Sequence, residues 1–151
     1  MLKIVGAAQK TLRIASYCFD RFDLSDKIVH AALRRVKVRV LVDPHQLSDR
    51  RKMQDVMRTL AEWGVKVFKW KAPTAGVRQY DGCMHIKGIS ADGAELLSGS
   101  ANHTQAAVER NCEVAVVIKD SAVVRKFDVR FDYLCRHQAE EVVFPKTEEE
   151  R

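Results

Sequence analysis

The sequence predicts an α/β domain in which a mixed β-sheet is flanked by helices on both faces. Short apolar or alternating segments, typical of strands, recur between segments whose apolar residues have helical spacing. Asp43-Pro44, Gly64 and Asp92-Gly93 stand between these segments and indicate turns. With 151 residues, the chain is long enough to bury a core without disulfides. We therefore expect a single domain over residues 1–138, followed by an acidic, flexible tail over residues 139–151.

The first half of the chain alternates between helix and strand patterns. LKIVGAAQK indicates a helix or its last turns, and TLRIASYCF at 11–19 indicates a buried strand. Ser25 is expected to cap the next helix, after which VKVRVLV at 36–42 alternates as a strand does. A helical pattern from Arg50 to Trp63 ends at Gly64, and VKVFK at 65–69 forms the next strand. This alternation favours parallel strands.

The second half begins with a long loop, because residues 70–82 contain Pro73, Gly76 and Gly82 and show no periodicity. CMHIKGIS and AELLS are then expected to pair as antiparallel strands across a tight turn at Asp92-Gly93. A loop and short helix follow at TQAAVER, and CEVAVVI forms another strand. The last helix is expected to end near Gln138.

The charge balance points to a negatively charged partner. The formal net charge is +6, although several glutamates crowd the C-terminal end. Such a balance attracts nucleic acid first and an anionic membrane surface second. The longest apolar runs are too short to span a bilayer, so we expect no transmembrane segment.

The four cysteines are scattered and form no CxxC motif. This arrangement favours buried, free thiols in a reducing intracellular compartment over a disulfide framework. Cys83, His85, His103 and Cys112 have the side chains of a zinc site, but their spacing is tighter than zinc sites usually show. We therefore expect neither a metal nor another cofactor.

The stretch MHIKGISADGAELLSGSAN, residues 84–102, concentrates groups that can bind a phosphate. His85 and Lys87 are two apart, so on a strand they project from the same face. A reactive imidazole would then stand beside a fixed positive charge. Gly99 would let the backbone pass close to a ligand, and Ser100 and Asn102 offer donors before a helix N-terminus. The stretch predicts a phosphate site that contains a histidine.

These residues resemble the signature of the phospholipase D superfamily, in which HxK is followed by Asp and then by GSxN. The matching residues are His85, Lys87 and Asp92 in the first motif and Gly99, Ser100 and Asn102 in the second. Asn111-Cys112-Glu113 is similar to the NxE of the small single-motif members, the Nuc-type endonucleases and the mitochondrial phospholipase D (Zucchini) group. The resemblance extends from Thr11 to Asp120. Relatives usually begin with a strand before the first helix, so the N-terminal strand is either absent or missing from a partial chain.

The resemblance implies phosphodiester cleavage in two steps without a metal. One histidine attacks phosphorus to form a phosphohistidine, and a second protonates the leaving oxygen. Lysine and asparagine side chains would hold the phosphate oxygens, a glutamate would orient a histidine, and Asp92 would support the site from a distance. The residues expected to be catalytic are His85, Lys87, Asn102, Ser100, Glu113 and Asp92.

The chain has one HxK motif, whereas this chemistry needs two histidines. We therefore expect a homodimer that places two copies of the motif around one active site on its twofold axis. Taken singly, the residues also have structural explanations, since His85 could be a core histidine and Asp92 simply a favoured turn residue.

A basic, aromatic segment is a candidate for substrate binding. Lys69, Trp70 and Lys71 could bind single-stranded nucleic acid by stacking and charge, and His45, after a strand end, could also contact substrate. The alternative is that Phe68 belongs to the core and the lysines form a solvated face.

The sequence thus predicts a metal-independent phosphodiesterase, with an endonuclease acting on nucleic acid, preferably single-stranded, as the first choice. The first alternative is a phospholipase D-type hydrolase of an anionic phospholipid such as cardiolipin, and the resemblance also allows a mitochondrial location. The second alternative is a catalytically silent nucleic-acid-binding module.

Overall fold

The computed structural model describes residues 1–71 and 82–145, in which seven strands form one sheet in the order β6-β5-β4-β1-β2-β3-β7. The strands are β1 (Thr11–Ser16), β2 (Lys37–Val42), β3 (Lys66–Trp70), β4 (Lys87–Ala91), β5 (Glu95–Gly99), β6 (Ala115–Ile118) and β7 (Ala139–Glu141). The helices are α1 (Leu2–Ala7), α2 (Phe22–Leu33), α3 (Pro44–Asp49), α4 (Arg51–Glu62), α5 (Gln105–Glu109) and α6 (Ser121–His137). The predicted mixed sheet is confirmed.

Strand direction follows from the connections. β1, β2 and β3 are parallel because α2 and the α3–α4 pair carry the chain back across the sheet. β4, β5, β6 and β7 each run antiparallel to a neighbour, so the parallel pattern holds only for the first three strands. As a result, Ser16, Val42, Lys87 and Gly99 all lie at one edge, which we call the site edge.

Helices cover both faces of the sheet, as the sequence predicts. The larger core lies beneath α1, α2 and α4 and includes fully buried Ile14, Val40 and Ile89 from the central strands. A smaller core lies beneath α6 and contains Leu41 and Phe131. The period-two alternation of each central strand thus supplies apolar side chains to two layers.

Ion pairs fasten α6 to the sheet. The Arg13 guanidinium donates to Asp132 at 2.8 Å and to Asp128 at 3.1 Å, and Arg39 donates to Asp132 at 2.6 Å. Gly88 allows this close packing, because a Cβ there would lie 2.7 Å from the Phe127 ring. These contacts hold α6 against β1 and β4, the two strands whose ends at the site edge carry Ser16 and Lys87.

Two predictions in the first half need correction. α2 begins at Phe22, and Ser25 is buried inside it, where its N–H donates to the Arg21 carbonyl at 3.0 Å, so the predicted cap is wrong. α3 was not expected, because a six-residue helix is too short to give a clear period. It forms because the Asp43 side chain caps it and Pro44 occupies its first turn.

The flexible tail predicted to begin at residue 139 is wrong for β7, which pairs with β3. Glu140 meets Lys69 across this pairing, and the Val142 N–H donates to the Val67 carbonyl at 2.8 Å. Acidic residues that looked like a solvated end therefore complement the lysines of an edge strand. Residues 146–151, and the part of the predicted loop at 72–81, lie outside the described residues.

None of the helices in the described ranges combines the length and apolar character that crossing a membrane would require.

Candidate functional site

The HxK segment enters β4 at the site edge and is held there by Asp43. The Met84 N–H donates to one carboxylate oxygen of Asp43 at 2.9 Å. The other oxygen accepts from the N–H groups of His45 and Gln46 at 3.0 Å each. Asp43 is buried, so one carboxylate at the end of β2 ties the start of α3 to the residue preceding His85. This residue positions the segment and does not itself face the solvent.

His85 and Lys87 meet around Tyr17, which follows β1. The His85 and Tyr17 ring centroids are 4.6 Å apart in an edge-on arrangement, and the Lys87 Nζ lies 5.1 Å from the Tyr17 centroid. Lys87 Nζ also donates to the His85 carbonyl at 2.9 Å. The Tyr17 hydroxyl accepts from Gln46 at 3.1 Å, which fixes the ring. The exposed imidazole of His85 therefore stands on a rigid aromatic and cationic support.

The ammonium of Lys87 is largely withdrawn from water, since the residue is 8% exposed. Burial lowers the pKa of Lys87, while the nearby Cys83 and Glu113 act in the opposite direction. A cation with little hydration acts strongly on a phosphate bound beside it. Lys87 is thus suited to hold negative charge next to His85.

Ser100 and Glu113 form the second half of the site. The Ser100 hydroxyl donates to Glu113 and accepts from the Val114 N–H at 3.1 Å. Asn111 donates to the other carboxylate oxygen of Glu113 at 3.1 Å. The hydrogen bonds from Ser100 and Asn111 lower the pKa of Glu113, so its carboxylate is ionised at neutral pH. The GSxN and NxE motifs therefore meet directly.

Gly99 makes this meeting possible. A Cβ at residue 99 would lie 2.0 Å from the Val114 carbonyl oxygen and 2.7 Å from the Ala115 Cα. The expectation that Gly99 admits a ligand is therefore corrected, because its neighbour is the backbone of β6. The close approach of β5 and β6 sets Ser100 opposite Glu113.

Asn102 lies between the site and the core. It is half-buried, and its buried Oδ1 has no hydrogen-bond partner among residues 1–71 and 82–145. Its neighbour His103 is buried and packs edge-on against Phe19, with ring centroids 5.7 Å apart. Burial lowers the pKa of His103 to about 3, so this imidazole is neutral and packs as expected. The cap of α5 is Thr104, which accepts from the Ala107 N–H.

Asp92 is remote from this arrangement, at the opposite end of β4. Its carboxylate accepts from the N–H groups of Gln9, Lys10 and Thr11 at 2.8, 2.7 and 2.8 Å. Asp92 and Gly93 have φ of 56° and 66°, which is the turn geometry that the Asp-Gly pair favours. Its inclusion among the catalytic residues is corrected to a structural role, because it anchors the α1–β1 connection.

The four residues expected to bind substrate lie at the site edge but outside the His85 cluster. His45 is exposed in the first turn of α3. Lys69 and Lys71 both pair with Glu140, the former at 2.7 Å. Trp70 packs with the smaller core. Phe68 also packs there, in accord with the core alternative for that residue.

The cysteines divide into two classes. Cys18 and Cys135 are buried, whereas Cys83 and Cys112 are exposed, which corrects the expectation that all four are buried. The exposed pair lies at the site edge, in the segments that lead into β4 and β6. Over residues 1–71 and 82–145, no three His, Cys, Asp or Glu side chains form a group able to bind a metal ion.

Sequence reasoning missed Tyr17, Asp43 and Gln46 as parts of the site. The Asp-Pro pair after a strand is a recognisable cap signal and could have identified Asp43. Tyr17 and Gln46 carry no such signal, because their contacts join segments that are distant in sequence.

Comparison with known proteins agrees with this geometry. A family model described as "Cardiolipin synthase, PLD-like domain" matches residues 1–135. A mitochondrial cardiolipin hydrolase of Chlamydomonas reinhardtii is 30% identical over 135 residues, covering 88% of this chain and 55% of that protein. Cardiolipin synthase A of Serratia proteamaculans is 29% identical, covering 89% and 26%. The chain spans about half or less of these curated relatives.

Two solved structures share the fold. The phospholipase D family member Nuc from Salmonella typhimurium superposes with a TM-score of 0.83 at 24% identity, covering 95% of this chain and 88% of Nuc. NucT from Helicobacter pylori gives a TM-score of 0.85 at 23% identity, covering 93% and 87%. Because the family model spans nearly the whole domain, this chain belongs to the phospholipase D-like domain family.

Proposed function

We propose that this protein is a metal-independent phosphodiesterase whose nucleophile is the imidazole of His85. The observation that carries this proposal is the exposed His85 beside the buried ammonium of Lys87, next to the Ser100–Glu113 pair. A nucleophile and a poorly hydrated cation at one open edge suit attack on a charged phosphate. Asn102, two residues after Ser100, adds a side-chain amide whose N–H groups can donate to a phosphate oxygen.

The reaction has two displacements. An imidazole nitrogen of His85 forms a bond to phosphorus as the bond to the leaving oxygen breaks, and a second imidazole gives that oxygen a proton. That imidazole then takes a proton from water, the water oxygen bonds to phosphorus, and the phosphorus–nitrogen bond breaks. Lys87 holds the phosphoryl oxygens throughout, while the ionised Glu113 orients an imidazole and balances charge.

A second copy of the chain supplies the second imidazole. Of the four other histidines, His103 is buried and neutral, and His30 and His137 belong to α2 and α6. His45 is the remaining rival within one chain, and His45→Ala tests it separately. A homodimer with His85 from each copy at a shared site meets the chemical requirement directly.

The surface around β6 supports such a dimer. Val114, Val116 and Val117 are 69%, 50% and 55% exposed, and Val108 on α5 is 54% exposed. β6 is also an edge strand of the described sheet. Exposed valines on an edge strand favour association, and this strand begins two residues after Glu113. A twofold axis here would bring the two sites together.

Nucleic acid is the substrate we favour. The net charge of +6 attracts a polyanion. His85 is exposed at the site edge, where a long nucleic-acid strand can pass. The specific phosphodiester of a polymer would then be chosen by contacts on either side of His85. A single strand exposes its bases to such contacts.

A phospholipid is the second candidate. The named activities of the similar hydrolase and synthase concern cardiolipin, whose head group contains phosphodiesters. The exposed valines near β6 would equally suit contact with a lipid surface if they do not form a dimer.

The test uses labelled single- and double-stranded DNA and RNA in EDTA, with cardiolipin vesicles in parallel and His85→Ala as the comparison. Metal-independent cleavage of oligonucleotides that the variant lacks supports the nuclease. Release of phosphatidic acid without cleavage of oligonucleotides contradicts the nuclease and supports the phospholipid hydrolase. Binding of nucleic acid without any turnover contradicts the phosphodiesterase and leaves a binding module. His30→Ala, on the exposed face of α2, is the matched control and should retain activity.

A further inference from the structure

A groove of about 460 Å³ opens at the site edge, where β3 ends and α3 begins. It lies between α3, the middle of α4, the end of β3 and the segment that follows β7. Its lining residues are Pro44, Leu47, Ser48, Gln54, Arg58, Lys69, Trp70, Lys71 and Phe144. The groove is separate from the cluster around Tyr17.

The groove combines aromatic and basic side chains. Trp70 and Phe144 contribute rings, and the Arg58 guanidinium lies 5.6 Å from the Phe144 ring centroid. Arg58 also donates to the Pro145 carbonyl at 3.2 Å, which holds the C-terminal segment at the rim. Lys69 and Lys71 add two cations for one carboxylate, that of Glu140, so the rim keeps a positive balance.

Polar groups accompany these rings. The Gln54 amide N–H donates to the Ser48 carbonyl at 2.8 Å, and in the described part of the chain no group donates to its carbonyl oxygen, which can accept from a ligand. An aromatic face with amide groups and nearby cations matches a base joined to a phosphate. An acyl chain would leave these charged and polar groups without partners.

Trp70 links the groove to the reacting segment. Trp70 packs in the same cluster as Met84 and Ile86, the two neighbours of His85. The Cη2 and Cζ3 atoms of the Trp70 ring lie 3.5 and 4.0 Å from where a Cβ of Gly82 would stand. A ligand on Trp70 is therefore next to the chain that carries His85.

We propose that this groove binds a base of single-stranded nucleic acid next to the phosphodiester that His85 attacks. The base stacks on Trp70, its edge meets Gln54, and Lys69 and Lys71 contact the adjoining phosphate. This inference rests on the proposed nuclease function and adds its strand preference, because a paired base in a duplex cannot enter the groove.

The first experiment leaves the protein unchanged. Single-stranded DNA of fixed sequence is prepared with one abasic residue at successive positions, and cleavage is mapped in EDTA. We expect abasic residues at one or two positions beside the cut site to lower kcat/KM about tenfold or more, the size of a lost base stack. A uniform response along the strand would overturn the proposal.

The second experiment uses Trp70→Ala and Trp70→Phe, with Trp63→Ala as the control because Trp63 is exposed at the end of α4 and outside the groove. For Trp70→Ala, kcat/KM for the oligonucleotide should fall about tenfold more than for bis(p-nitrophenyl) phosphate, which has no base. Trp70→Phe should recover most of that difference. Equal losses on both substrates would mean that Trp70 only supports the HxK segment, which would contradict the proposal.

Binding provides a readout that does not require turnover. Single-stranded oligonucleotide should quench the fluorescence of Trp70 in the Trp63→Phe background, and duplex of the same sequence should not. Quenching by anionic vesicles instead of oligonucleotide would overturn the base site. If the protein does not cleave nucleic acid but oligonucleotide still quenches Trp70, the proposed nuclease function fails while the base site stands. If neither cleavage nor quenching occurs, both fail.

Discussion

Substituting Asp92 with Asn should weaken the fold while leaving the chemistry of the folded protein intact. The carboxylate accepts three backbone N–H groups at 2.7 to 2.8 Å, two of them exposed and one partly buried. Hydrogen bonds to a charged group contribute about 1.5–3 kcal/mol each when sheltered, and exposure reduces this. Asn keeps one acceptor oxygen and tolerates positive φ, so we expect a loss of about 2 kcal/mol.

The assays are urea unfolding, thermal unfolding, and hydrolysis of a small phosphodiester measured well below the melting temperature. A loss of about 2 kcal/mol should lower the melting temperature by about 4–8 °C in a chain of this size. Asp26→Asn, at an exposed position of α2, is the matched control and should change stability by less than about 0.5 kcal/mol. An Asp92→Asn variant with unchanged stability and a greatly reduced kcat would refute the structural role.

Stability should also depend on acidity through Asp92. Burial alone would raise the pKa of this carboxyl, but the donors from Thr11, Gln9 and Lys10 outweigh it and lower the pKa below 3.8. The unfolded chain therefore takes up this proton first as the pH falls. The stabilisation is complete above about pH 4 to 5 and is lost as the pH drops through the folded pKa. The variant should show a smaller loss of stability over that acid range than the wild type.

Three further predictions concern β6, His103 and the rim of the groove. Gly99→Ala should separate β5 from β6, because its Cβ would lie 2.0 Å from a Val114 oxygen; calorimetry should show a lower melting temperature, and a normal melt with full activity would contradict this. His103→Phe should reduce the loss of stability in acid, which parallel urea titrations of the variant and the wild type would measure. The contribution of His103 to wild-type stability is complete above pH 6.5 and is lost toward about pH 3, because in this range only the unfolded chain binds the proton. Glu140→Gln should tighten oligonucleotide binding severalfold at low salt, because it releases Lys69 and Lys71. Fluorescence anisotropy measures the binding, with Glu141→Gln as the control, and equal effects of the two substitutions would contradict the role of the Glu140 ion pairs.

Much of the fold follows from local patterns. The alternation in VKVRVLV and the helical spacing of residues 50–63 give β2 and α4 nearly at their observed bounds. The Asp92-Gly93 turn fixes the β4–β5 register, and that register brings Ser100 to the same edge as Lys87. The grouping of the motif residues was therefore predictable, because it depends on strand order and turn chemistry.

The rest depends on partners distant in sequence. β7 forms because Glu140 and Glu141 meet lysines of β3, and nothing local distinguishes them from a solvated acidic end. Gly99 looked like a ligand contact because the approach of β6 cannot be seen in the sequence. Asp92 belongs to the family motif, yet its partners lie more than eighty residues away. The motif identified Asp92 but not its structural role.

The most direct test of the central claim is the activity of mixed dimers. Wild-type and His85→Ala chains are exchanged at known ratios, native mass spectrometry verifies the mixing, and phosphodiesterase activity is measured in EDTA. If each site needs His85 from both copies, an equal mixture should retain about one quarter of the activity of the same total amount of wild type. An equal mixture that retains about half would mean that each chain works alone, and this result would contradict the shared site.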